Sequence, residues 1–361
     1  MKRNSMLAFW LAAASAVGLA ETALRLRDRA ASRVRFQRER RTLERSWERF
    51  DPRSGWELKP GYVSDDVRVN RHGFRGPELE KGRTFRIVCL GGTDTFGPAV
   101  EENTYPHALR AAFHRGVPGF CCAKSGAPLM DPVRPIEVVN AGVSGHSIYS
   151  MLFRIDRILR LKPDLVVILA GPEDIFQEDI TSYRDNRQPF SSFWHVDARR
   201  NIRLHVWSLL LETAGYRGRK PFPLSYEPEE FVPFNFEYNL SRIIERIRKM
   251  GARVALLTVP TLIPDDTMRL TPEQIRKITL PEYLEGEDID AFLAVLRSYD
   301  TIIRSVAGET GALLIDTAAA FEHPDIPREA LFETSCGLTA LGCRLLGETA
   351  ASGLCAQGAF E

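Results

Sequence analysis

Short apolar runs bounded by glycine-bearing loops recur along this chain, and between them apolar residues return at helical spacing. The first run, Ile87-Val88-Cys89-Leu90, is short and rich enough in β-branched residues for a buried strand over 86–90. It leads directly into Gly91-Gly92-Thr93-Asp94. The same pattern predicts strands at 136–140, 165–170, 253–259 and 312–315. Helices are predicted at 104–115, with Tyr105, Leu109, Ala112 and Phe113 on one face, and at about 147–161, 239–250, 289–311 and 339–351. Strict strand–helix alternation implies βαβ units, hence one parallel sheet with helices on both faces.

The loop after the first strand carries the candidate chemistry. Two glycines let the backbone turn sharply and bring a ligand close to the main chain. Thr93 then stands at the carboxyl end of a parallel strand, where α/β sheets collect ligands. The second strand ends in Asn140-Ala141-Gly142-Val143-Ser144-Gly145 and the third in Gly171-Pro172-Glu173-Asp174. Three stretches break the rhythm. Residues 51–83 are rich in turns, yet Trp56, Tyr62, Val67, Val69 and Phe74 need burial, so the stretch is a lead-in that packs on the domain and not a linker. Residues 117–134 read as a loop, and 262–287 as a polar excursion. Residues 177–233, aromatic and proline-rich with one helical piece at 203–213, read as an insertion over one edge of the sheet. One α/β domain over 51–361 accounts for the rest.

Charge changes the picture only at the start. The chain of 361 residues has a net charge of +1, which hides ten arginines between Arg25 and Arg49. The remainder is mildly acidic, so no nucleic-acid-binding body is expected. Lys2 and Arg3 precede an apolar run over 6–20, short for a span of about 20 residues. Extended to 24, it makes a marginal membrane anchor, and the arginine-rich 25–50 a helical stalk at an anionic membrane surface. A cleaved signal peptide ending near Gly18-Leu19-Ala20 is the alternative. Positive charge after the apolar run argues for a cytoplasmic stalk, whereas a signal peptide sends it outward. Of the six cysteines none forms a C-x-x-C pair; Cys89 is most simply a buried small hydrophobe, and a disulfide among the others is left open.

Taken together, the loops resemble the blocks of the SGNH (GDSL-type) hydrolases. That family shows G-D-S or G-G-S after its first strand, a glycine in a second block, G-x-N-D in a third and D-x-x-H near the C-terminus. This chain reads G-G-T at 91–93, N-A-G-V-S-G at 140–145, G-P-E-D at 171–174 and LFETSCGLTALG at 331–342. The lead-in VNRHGFRGPELEKGRTFRIVCLGG and the ETALR after the apolar run are similar to a membrane-anchored bacterial branch linked to cell-surface polysaccharides. The resemblance implies a flavodoxin-like three-layer αβα sandwich with a parallel sheet. It also implies a domain facing the periplasm from the inner membrane, a carbohydrate or acyl ligand, and a protein partner in envelope assembly.

The resemblance further implies that the chemistry has been dismantled. In the family a serine attacks an acyl carbonyl, and a histidine held by an aspartate takes its proton. The serine amide, a glycine amide and an asparagine side chain hold the oxyanion. Carried over, the nucleophile position is Thr93 and the glycine position Gly142. The asparagine position is Glu173, and the aspartate and histidine positions are Thr334 and Gly337. His146 and His323 lie near the expected rim as candidate bases, the plain reading of each being a surface or loop histidine. Asp94, Glu173 and Asp174 converge at strand ends, a set suited to Mg²⁺ or Ca²⁺, although such carboxylates more often cap helices. No metal or other cofactor is expected. The reading is a membrane-associated pseudoenzyme that binds or scaffolds; the alternative is an active ester hydrolase or O-acyltransferase using Thr93 with a non-standard base.

Overall fold

A computed structural model describes residues 47–51, 53–82, 84–115, 134–177, 233–281, 289–322 and 325–360. The N-terminal apolar segment, the arginine-rich stalk up to 46, nearly all of the 117–134 loop with Cys121 and Cys122, the insertion over 178–232 and His323 lie outside the described residues. Among the described residues no helix is long and apolar enough to cross a membrane. The chain divides into two compact units, 1–50 with 190–224 and 51–189 with 225–361. Of the first, only 47–50 are described.

The second unit is built on five strands: β1 (Phe85–Gly91), β2 (Ile136–Asn140), β3 (Leu165–Leu169), β4 (Arg253–Leu257) and β5 (Leu313–Ile315). Their order is β2-β1-β3-β4-β5 and every pairing is parallel, as the alternation requires. This is the flavodoxin-like order, whose switch point falls between β1 and β3. Strand β4 stops two residues before the expected end. There Thr258 turns its hydroxyl to Asp316, 2.9 Å away, and its carbonyl accepts from the Thr317 hydroxyl.

Among the described residues, helices beside the sheet include α1 (Thr93–Phe96), α2 (Tyr105–Arg115), α3 (Ile148–Leu159), α4 (Pro172–Gln177), α5 (Phe234–Lys249), α6 (Ile289–Thr310) and α7 (Ala340–Ala356). Side chains alternate across each strand. Ile87, Cys89, Leu165, Val167, Ala255 and Leu257 face a core shared with Leu109 of α2 and Leu346 of α7. Val88, Leu90, Val166, Ile168, Val254 and Leu256, also buried, face the other layer, where α5 packs between α3 and α6. Helix α5 starts five residues earlier than its periodicity predicts, because Phe236 is buried against Tyr299, ring centroids 4.8 Å apart. The polar excursion holds a short helix, Pro272–Lys277, closed by a capping box between Thr271 and Gln274. The T-x-x-Q spacing of Thr271 and Gln274 is its signal in the sequence.

The lead-in packs on the domain as its apolar residues require. Leu58, Val67, Val69 and Phe74 are buried, and Trp56 is half-buried with its indole N–H donating to Ser144 O at 2.8 Å. Arginines fasten it, Arg154 and Arg75 among them. Arg154 of α3, 2 % exposed, donates through Nε to both oxygens of Glu57 (2.9 and 3.0 Å) and through a terminal nitrogen to Ala141 O at 2.6 Å. Arg75 of the lead-in donates to the carbonyls of Phe96 (2.6 Å) and Gly97 (2.9 Å), with its guanidinium 4.4 Å from the Phe96 ring centre. The loops after β1 and β2 are thereby held from outside the sheet.

Candidate functional site

The site begins where β1 runs out. Gly91 and Gly92 let two neighbours approach the turn that a side chain would block: a Cβ at Gly91 would lie 1.9 Å from Thr95 Oγ1, and one at Gly92 2.2 Å from the Glu173 carboxyl carbon. Thr93, exposed, is the first residue of α1. Its hydroxyl oxygen lies 3.3 Å from Ser144 Oγ and accepts from the Gly145 N–H at 3.0 Å. Its own N–H donates to Glu173 Oε1.

The loop after β2 corrects the placement of the glycine. Gly142 donates its N–H to Asn140 Oδ1 at 2.9 Å, so it does not open into the pocket. Its lack of a side chain has a packing reason instead, because a Cβ there would lie 2.2 Å from Phe96 N. The amide that meets the Thr93 hydroxyl belongs to Gly145, which has a positive φ of 72°. Ser144 and Gly145 are therefore site residues that sequence reasoning quoted but did not select. The available signal was the second glycine of N-A-G-V-S-G, one residue before His146.

Glu173, at the start of α4, reaches back across the β1–β3 switch point. Asp94, the next residue after Thr93, accepts from Leu338 N–H at 3.3 Å. That bond brings the 334–337 turn to the edge of the site. Inside the turn, Gly337 N donates to Thr334 Oγ1 at 2.9 Å, and Glu333 N to Gly337 O at 2.8 Å. Neither position presents an acid or a base to Thr93. A Cβ at Gly337 would lie 2.7 Å from Thr334 Oγ1, so the two residues fit each other as they are.

Two carboxyls thus meet, and among the described residues no cation pairs with either. Burial, and after it the neighbouring Glu173, push the Asp94 carboxyl up to about 8. Burial also raises Glu173, opposed by its hydrogen bonds from Thr93. Near neutrality Asp94 is held protonated, and the Thr93 amide faces the Glu173 carboxyl. Cys336 beside them is raised by burial and then by the two acids, so it stays a thiol and is no nucleophile.

His146 lies in the loop before α3, as its position suggested, but not at the surface. It is fully buried, with Nε2 2.8 Å from Trp56 O and its ring edge-on to Trp56 at 5.4 Å. A carbonyl only accepts, so Nε2 carries the hydrogen. Burial and then the Arg154 charge hold the ring well below its ordinary pKa, hence neutral. Among the described residues no histidine is a hydrogen-bond partner of Thr93. Asp174 turns away from the other two acids and accepts from Ile148 N–H through both oxygens (3.2 and 3.0 Å), capping α3. Among the described residues no three His, Cys, Asp or Glu side chains are grouped to hold a metal ion.

The sequence profile of the GDSL-like Lipase/Acylhydrolase family matches residues 123–344, more than half of the chain, and the chain belongs to that family. The match starts after the β1 turn, so Thr93 takes its place in the site from the sheet pairing and the bonds just described. Solved structures with a similar course include a lipolytic protein of the G-D-S-L family from Desulfitobacterium hafniense DCB-2, at 17% identity and TM-score 0.42, covering 75% of this chain and 100% of that one. An acetylxylan esterase from Geobacillus stearothermophilus is 16% identical at TM-score 0.43, covering 76% of this chain and 95% of that one. An α/β hydrolase from the metagenome of Lake Arreo is 18% identical at TM-score 0.42, covering 78% and 98%. No curated protein sequence matches the chain.

Proposed function

We propose that this GDSL-family domain binds a ligand at the Thr93 pocket without hydrolysing esters, as a membrane-associated pseudoenzyme in the handling of envelope polysaccharide. One observation carries the reading: the Glu173 carboxylate accepts the Thr93 N–H, occupying the donor that family chemistry directs at an oxyanion. The second donor, Gly145 N–H, is taken by the Thr93 hydroxyl itself. A tetrahedral intermediate formed at Thr93 would place its negative charge against a carboxylate. The polar neighbours of the hydroxyl are Ser144, the Gly145 amide and the Glu173 carboxyl, and among the described residues none is the histidine that takes the proton in the family's chemistry. Membrane association rests on the apolar 6–24 and the ten arginines after it, and polysaccharide on the resemblance of the lead-in.

The test is p-nitrophenyl acetate turnover by the full chain against Thr93→Ala. Equal rates for the two, at the uncatalysed background, are expected. Turnover above background that Thr93→Ala abolishes overturns the reading. It would favour the alternative, an ester hydrolase or acyltransferase, which draws support from the exposed Thr93 hydroxyl lying 3.3 Å from Ser144 Oγ.

A further inference from the structure

We propose that a cavity of about 430 Å³ at the amino-terminal edge of the sheet binds a small molecule through a phosphate group. It is separate from the Thr93 pocket. Arg86, in its wall, lies five residues upstream of Gly91 on β1, roughly 17 Å along an extended strand.

Three segments converge on it: the lead-in with Arg71, His72 and Lys81, β1 with Arg86, and the end of α3 with Arg157 and Arg160. Five permanent cations therefore face one lining carboxylate, that of Glu80. Three of the five are held by acids outside the cavity. Arg86 Nε is 2.6 Å from Glu137, Arg157 is 3.1 Å from Glu57, and Arg71 is 3.4 Å from Glu78. Arg157 is fixed further by donating to His72 O through Nε (3.1 Å) and a terminal nitrogen (2.6 Å). Those pairs neutralise the charge and set the walls. Lys81 and Arg160 differ, since their side chains have no hydrogen-bond or ion-pair partner among the described residues.

Lys81 and Arg160, unpaired and on separate segments, outnumber the lining Glu80 and suit a multiply charged anion. A phosphate monoester carries roughly −1.5 to −2 at neutral pH and three acceptor oxygens, enough for an ammonium and a guanidinium at once. A carboxylate, with one charge and two oxygens, is satisfied by a single guanidinium. The volume falls in the range of small-molecule sites, about 300–1,000 Å³, and Leu79 and Leu161 offer an apolar wall to the rest of the ligand.

Calorimetry on the full chain tests this with inorganic phosphate, glucose 6-phosphate and glucuronate as probes, comparing wild type, Lys81→Gln/Arg160→Gln and Thr93→Ala. Both phosphates should bind saturably, roughly tenfold more weakly in the double variant and unchanged in Thr93→Ala. Glucuronate should bind more weakly than glucose 6-phosphate. Absence of saturable phosphate binding up to about 10 mM, equal binding by the double variant, or glucuronate binding as tightly as the phosphates overturns the proposal. A loss confined to Thr93→Ala would overturn it as well, by placing the ligand in the other pocket.

Discussion

Two carboxylates are drawn into the body of this domain, and their neighbours differ in kind. Glu57, 6 % exposed, is met by Arg154 at 2.9 and 3.0 Å and by Arg157 at 3.1 Å. Glu173 is met by the amide and hydroxyl of Thr93, by its own backbone and by a second acid, Asp94. The first cluster encloses charge with matching charge and joins the lead-in to α3, which is what a structural ion pair does. The second leaves two acids together at the carboxyl ends of the strands, one of them kept protonated near neutrality, an arrangement that stability alone does not favour. Unfavourable polar groupings gather where a fold keeps its ligand or catalytic site. The contrast sets the Thr93 region apart from the structural cluster, in keeping with the binding role proposed for it above.

Breaking the Glu57 cluster should produce the largest effect. Arg154→Met leaves Glu57 with only Arg157 and frees Ala141 O, and should cost about 3–5 kcal/mol in a urea titration. A loss below about 1 kcal/mol would show that the cluster is not the fastening described here.

The Asp94–Glu173 pair should give an effect of the opposite sign. Asp94 titrates near 8 in the fold against an ordinary value of 3.8, so the folded chain keeps its proton where the unfolded chain has lost it. Its contribution to stability is therefore complete below about pH 4 and is lost as pH rises toward 8. Asp94→Asn removes the titration, so the stability difference, variant minus wild type, should grow between pH 5 and 8.5 by an amount on the order of 4 kcal/mol. Thermal unfolding at the two pH values measures it, and a difference that stays flat would remove the shared-burial account of the pair.

Glu173→Gln sharpens the comparison with a smaller change. With the neighbouring charge gone, the Asp94 midpoint should move down from about 8 but stay above 3.8, because burial is the larger cause. A carboxyl-detected NMR titration reads it, and an unmoved midpoint would mean the two acids do not interact. Smallest of all, Lys81→Gln/Arg160→Gln should change stability by less than about 0.5 kcal/mol, since both side chains are exposed and unpaired.

The pattern of apolar residues was sufficient for much of the fold. Runs such as Ile136–Asn140, recovered to the residue, owe their legibility to local physics: β-branched residues between glycine turns have few alternatives. The amphipathic stripe of α2 is equally local, and the motif order in the three loops was enough to name the family. Other features depend on partners distant in the chain. The choice of Gly145 over Gly142 at the Thr93 hydroxyl turns on which amide Asn140 captures, and two glycines three residues apart are indistinguishable until the loop folds. His146 reads as a rim residue in sequence, and only the packing of Trp56 over it, 90 positions away, makes it a buried neutral ring. Glu173 was visible as a substituted position. That its carboxylate takes the Thr93 amide, with Asp94 protonated beside it, required β1 and β3 to pair, because electrostatic neighbours are set by distance in space, which spacing along a chain does not encode.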